Sequence, residues 1–235
     1  VIPSKVGSGA EASITSIINS EKGKLITVDE NFLPHAIIYD TSIISQLDNM
    51  DIVFGSLDAM SHCIESMSSI NTNPYVNFLS ISTIENFRKN LSLERLFNTS
   101  KFSSSELIQF CLLSFNGGIA QNNAGAGLCH ALSHSAEQLT GVPHSVCIAF
   151  FTYPTLRYIN EVDKDFLSRF DFDILEYSLS ISELLCRDYD FSKLRNLLQE
   201  SSMLENLIQL ASNDVCWKLF YKRIDKVILT NILTS

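Results

Sequence analysis

Gly127-Leu128-Cys129-His130-Ala131-Leu132-Ser133-His134, and the Pro143-His144 that follows it, decide how this chain is read. Two residues four apart on a helix share one face, about 6 Å apart along the axis. His130 and His134 have that spacing, Thr140-Gly141 ends their helix, and Pro143 suits the first turn of the next. Asp58-Ala59-Met60-Ser61-His62 repeats the spacing earlier in the chain, with a carboxylate in the first place. Three helices can therefore bring imidazoles and one carboxylate to a single point. A lone histidine on an apolar helix is ordinarily a hydrogen-bonded core residue, and a lone Asp-x-x-x-His is ordinarily an ion pair. Their joint occurrence argues for metal, because four of the five histidines fall in these blocks. Three imidazoles and a carboxylate suit Fe2+, Zn2+ or another divalent transition metal. With no thiolate cage the set is unlike a structural zinc site. Left open, it would act as a Lewis acid on an alcohol oxygen. His35, after Pro34, is given no role.

Working outward, the chain from Thr41 onward reads as helical. Asp51–Ser68 carries Val53, Leu57, Met60, Ile64 and Met67 at helical intervals. Asn73-Pro74 opens a second helix, running to about Leu91. Ser103-Ser104-Ser105-Glu106 supplies N-cap chemistry for a third, through Phe115. Gly117-Gly118 and Asn122–Gly127 mark either a close helix crossing or a break. The helix begun at Pro143 reaches about Asn160. Beyond it lie shorter amphipathic stretches, Ile174–Leu185, Leu194–Leu198, Met203–Leu210 and Val227–Leu233. The first forty residues differ. Gly7-Ser8-Gly9 is a turn, Ile14–Ile18 is β-branched, Asn19–Gly23 is a polar turn and Ala36–Asp40 is a brief apolar run. They suit two or three strands. The predicted division is a small β-containing piece over 1–44 and an all-helical domain over 45–235.

Composition narrows the function. The chain has 235 residues, 46% apolar and 18% charged, with net charge −9. It can bury a core, and its acidity argues against nucleic acid or an anionic membrane surface as partner. No apolar run is long enough to span a bilayer, and no signal-peptide pattern opens the chain. Six scattered cysteines without a CxxC pair read as reduced thiols of a cytoplasmic protein. Cys63 and Cys129 adjoin the proposed ligands, but adjacent helical positions point apart, so both read as buried packing residues. The glycine turn is compatible with backbone N–H groups approaching a phosphate. Lys24 can then reach the same ligand, against the plainer reading of a solvated surface lysine.

In these motifs the chain resembles the iron-containing (group III) alcohol dehydrogenases of the dehydroquinate synthase-like superfamily. Ile2-Pro3-Ser4-Lys5-Val6-Gly7-Ser8-Gly9-Ala10-Glu11 is similar to that family's I-P-T-T-x-G-T-G-S-E segment. Ser56–Glu65 is similar to its G-x-D-A-L-x-H-A-I-E helix, and the His130 block with Pro143-His144 matches G-x-x-H-A-x-x-H … P-H-G. The resemblance implies the helical metal-binding domain of that fold, preceded by a small β-containing piece of the nucleotide-binding domain. It implies Asp58, His62, His130 and His144 as metal ligands, with Fe2+ ahead of Zn2+. It makes His134 the histidine near the nicotinamide, a proton relay. It aligns Ser4, Lys5, Ser8, Ser13 and Lys24 with residues lining an NAD or NADP site. The implied reaction is hydride transfer between a metal-bound alcohol or aldehyde and nicotinamide, in a chain compatible with a homo-oligomer. Ser56 stands where the family's helix has Gly, and Lys5, Ala10, Ser145 and Asp48 also depart from the pattern; these last four bear on cofactor geometry and choice rather than on the ligands. The family's G-G-G-S phosphate loop is expected ahead of Val1, and without it NAD(P) binding should be poor. A metal-binding remnant without catalysis, and a lyase of the dehydroquinate synthase kind, are the alternatives. The second fits less well because few basic residues accompany Asp58 and His62.

Overall fold

Proline and glycine set the helix ends in the computed structural model of this chain. It describes residues 1–20, 23–90, 92–98 and 100–235, with 16–20, 23–26 and 90 described through their backbone alone. Two compact units result: Val1–Met67 with Asn73–Gly125, and Ser68–Thr72 with Ala126–Ser235.

In the first unit, strands β1 (Thr15–Ser20) and β2 (Gly23–Val28) pair antiparallel, from Thr15 opposite Val28 to Ser20 opposite Gly23. The apolar run at 36–40 forms no strand; Asp40 instead caps the short helix α1 (Thr41–Ile44) through the Ser42 N–H. Helix α2 (Asn49–Met67) is buried at every residue from Ile52 to Met67, the polar Ser56, Asp58, His62 and Glu65 included. Asp48, where the family pattern has proline, takes the Met50 N–H at 3.2 Å and so caps its start. Helix α3 (Pro74–Asn90) starts at the predicted proline, and the short α4 (Leu93–Leu96) leads on to α5 (Ser104–Ala124). Ser103 and Glu106 close a capping box at the head of α5.

Helix α5 runs well past the predicted Phe115, straight through Gly117-Gly118. The reason is a close crossing. A Cβ on Gly117 would lie 2.7 Å from the Ala59 carbonyl oxygen of α2, and one on Gly118 would lie 2.3 Å from the Gly9 carbonyl oxygen. Only glycine lets these backbones touch. The N-terminal turn is thereby seated on the helices. Ser114 on α5, itself buried, accepts the Gly7 N–H at 3.0 Å and the Gly9 N–H at 3.2 Å. Residues 1–44 thus belong with the helices α2 to α5 in one unit.

The second unit contains α6 (Leu128–Thr140), α7 (His144–Val162), α8 (Ile174–Asp188), α9 (Ser192–Gln199), α10 (Ser201–Asn213), α11 (Val215–Leu219) and α12 (Lys226–Thr234). Gly141 ends α6 in the left-handed region at φ 69°, as its position predicts. Helix α6 packs against α7, α9, α10 and α11. Residues 68–72 join this unit through a bridge between Ser69 and Phe220, flanked by an Ile70 N–H to Leu219 carbonyl bond of 2.8 Å. Among the described residues no helix is long and apolar enough to cross a membrane.

Candidate metal centre

Each block of predicted ligands lies where its spacing requires. On α2, Asp58 and His62 are one turn apart, with Asp58 Oδ1 3.7 Å from His62 Nε2, and both are buried. In the second unit, α6 presents His130 and His134 from one face and the first turn of α7 presents His144. The three rings gather: centroids are 5.9 Å apart for His130 and His134, 5.4 Å for His130 and His144, and 5.1 Å for His134 and His144. The last two rings are stacked, 24° from parallel. His144 Nδ1 lies 3.9 Å from Glu137 Oε2, an acid one face of α6 supplies.

The donor chemistry fits a divalent transition metal. Imidazole nitrogen and carboxylate oxygen are the ligand types Fe2+ and Zn2+ take when no thiolate competes. The neighbouring thiols do not compete. Cys63 is fully buried, and burial pushes its thiol up to about 12, so it stays protonated. Cys129 donates its S–H to the Ile148 carbonyl at 3.6 Å, holding α6 to α7. Both cysteines are packing residues, as adjacency along a helix predicts.

One participant is not foreseen from the sequence. Asp214, between α10 and α11, holds His134 Nδ1 at 2.9 Å through Oδ2. Its other oxygen accepts the Cys216 N–H at 2.7 Å and caps α11. Burial alone would raise the Asp214 carboxyl. The bonds from His134 and from the Cys216 N–H outweigh it and hold the group below the usual carboxylate range. The local signal was an N-cap aspartate, and nothing in the sequence tied it to a histidine eighty residues earlier.

The family model for the C-terminal part of the Fe-containing alcohol dehydrogenases matches residues 52–234. The chain belongs to the iron-containing alcohol dehydrogenase family. Among curated relatives of this family, alcohol dehydrogenase 4 of Saccharomyces cerevisiae strain S288c is 29% identical over 150 residues, 63% of this chain and 38% of the relative. The 4-hydroxybutyrate dehydrogenase of Clostridium kluyveri is 28% identical over 227 residues, 92% of this chain and 60% of the relative. The chain therefore spans between about two fifths and three fifths of the length of these relatives. The crystal structure of a 1,3-propanediol oxidoreductase shares the fold at a TM-score of 0.82 and 18% identity, over 99% of this chain and 64% of that one. The predicted fold class, a helical domain with a small β-containing piece, is that of the iron-containing dehydrogenases.

The residues aligned with the dinucleotide site lie in the first unit. Ser4, Lys5 and Ser8 are exposed, and Ser13 is half-buried with its hydroxyl accepting the Thr15 N–H at 3.0 Å. Lys24 is on β2, and its side chain lies outside the described residues. The glycines between them differ from the phosphate-loop expectation. The N–H groups of Gly7 and Gly9 are both donated to Ser114, so these two hold the turn to α5.

Proposed function

We propose that this chain is the metal-binding part of an NAD(P)-linked alcohol dehydrogenase that interconverts alcohols and aldehydes. The observation that carries the reading is the three-imidazole cluster on α6 and α7 in a member of this family. Asp58, His62, His130 and His144 are the proposed ligands, with Fe2+ favoured over Zn2+. When bound, such a metal supplies a Lewis acid that acidifies an alcohol hydroxyl. To His134, one of the three clustered rings and hydrogen-bonded to a carboxylate, we assign the task of carrying the hydroxyl proton. Ser4, Lys5, Ser8, Ser13 and Lys24 would line the NAD or NADP site, so that 1–44 serves the dinucleotide and 45–235 the metal. The relatives are named for different alcohols, 4-hydroxybutyrate, methanol and butanol among them, so only the small-alcohol class is proposed here. A homo-oligomer and a cytoplasmic setting belong to the same reading, and six unbridged cysteines support the second.

Elemental analysis tests the ligands. About one divalent metal per chain is expected for a site of this donor set, lost in Asp58→Ala and in His144→Ala. Equal metal in parent and variants would reject the assignment. NADH consumption with short aldehydes by the full-length gene product tests the activity.

A further inference from the structure

Asp214 is held in a way that hydrogen bonding to His134 alone does not require. Oδ1 is fixed by the Cys216 N–H at 2.7 Å, the first turn of α11, and Oδ2 meets His134 Nδ1 at 2.9 Å. The carboxylate is thus clamped between a helix start and an imidazole, with one oxygen on each. Its carboxyl lies below the ordinary range, so it is ionised at neutral pH. An ionised carboxylate only accepts, and a neutral imidazole has one N–H. The proton of a neutral His134 must then sit on Nδ1, with the lone pair on Nε2. Stacking on His144 at 5.1 Å fixes the plane of the same ring.

We infer that Asp214 is the positioning residue of the site: it sets the tautomer and the tilt of His134 so that Nε2 is the nitrogen that takes the alcohol proton. The destination of the proton rests on the dehydrogenase reading, whereas the tautomer does not. A base must present a lone pair, not an N–H, to the hydroxyl it relieves. Asp214 does this without touching substrate, as carboxylates do that orient a histidine from behind.

The cap provides the test. In Asp214→Asn the side-chain oxygen still serves the Cys216 N–H, because Asn is as good an N-cap. The atom left facing His134 is then an NH2 group, a donor, and His134 must present a bare Nδ1 and carry its proton on Nε2. Asp214→Ser keeps a cap oxygen but is too short to reach the ring. The three proteins, labelled with 15N-histidine and loaded with Zn2+, are compared by nitrogen NMR at about pH 8, above the imidazole range. His134→Gln identifies the signal. The parent should hold His134 in the Nδ1–H form, Asp214→Asn should reverse it, and Asp214→Ser should give a mixture. An Nε2–H parent, or one tautomer in all three, overturns the inference, and the parent and Asp214→Ser suffice should Asp214→Asn not fold. With full-length enzyme, Asp214→Asn should lower kcat about 100-fold or more with KM nearly unchanged. Unchanged kcat in a protein whose tautomer has reversed would also overturn it. If the dehydrogenase reading itself fails, the parent forms no NADH while the tautomer result stands.

Discussion

Replacing Ser114 by alanine should be among the more damaging single changes to this chain, although it removes one oxygen. The Ser114 hydroxyl is buried and accepts two backbone N–H groups, from Gly7 at 3.0 Å and Gly9 at 3.2 Å. Alanine leaves both donors without an acceptor. A buried donor deprived of its partner costs about 1–3 kcal/mol, so two cost about 2–6 kcal/mol, less whatever water can reach them. Against a typical stability of about 5–15 kcal/mol this is a large share. For a chain of this size each kcal/mol lowers Tm by about 2–4 °C, so a drop of roughly 6–12 °C is expected for a loss of about 3 kcal/mol. Ser56→Ala is the control. Ser56 is equally buried, but its hydroxyl donates to the Ile52 carbonyl one turn back on its own helix, at 2.7 Å, and its loss should cost under about 1 kcal/mol. Urea unfolding measures both, and amide exchange reports the site directly, since Gly7 and Gly9 should lose protection in Ser114→Ala alone. Equal stability of the two variants, with exchange at Gly7 and Gly9 unchanged, would refute the clasp.

Gly117→Ala puts a methyl 2.7 Å from the Ala59 carbonyl oxygen and should cost about 1–3 kcal/mol by overpacking, read as a lower Tm in calorimetry. A second expectation concerns acid. Hydrogen bonds from Arg95, aided by the Ser103 hydroxyl and N–H, hold the Glu106 carboxyl down at about 2 against an ordinary 4.5. A lowered carboxylate stabilises above its unfolded value and loses that contribution as pH falls from about 4.5 toward 2. Full linkage would be about 3.4 kcal/mol, and solvent screening of a partly exposed pair leaves about 1–2 kcal/mol. Glu106→Gln should therefore cost that much at pH 7 and progressively less in urea titrations run below pH 4.5; a gap that widens on acidification would contradict it. Finally, iodoacetamide should label exposed Cys186 in the native protein and leave buried Cys63 untouched, with all six thiols labelled after unfolding, as mass spectrometry would record.

Most helix boundaries were legible because they rest on local chemistry. Pro74, Gly141 and Pro143 act through their own φ or missing N–H, and each marks an end in the structure. The full length of α5 was not legible. Gly117-Gly118 reads locally as either a crossing or a break, and only the neighbouring backbones of α2 and the N-terminal turn decide for the crossing. The apolar run at 36–40 left open whether that segment holds two strands or three, since a short apolar stretch forms a strand only where another strand accepts it. The histidine spacings on α2 and α6 were readable because four residues make one turn. Asp214 was not, since its link to His134 is made by the packing of α10 and α11 on α6. Gly7 and Gly9 show the opposite error: their spacing suits an anion, but the serine that occupies their N–H groups lies on α5.

That serine also sets an order of events during synthesis. The turn at Gly7–Gly9 leaves the ribosome well before its acceptor, which is made 107 and 105 positions later. Closing so long a loop brings no return until α2 and α5 have already crossed. That turn must therefore wait, unseated, while the helices assemble, and any substitution that loosens the crossing will be felt first at Gly7 and Gly9.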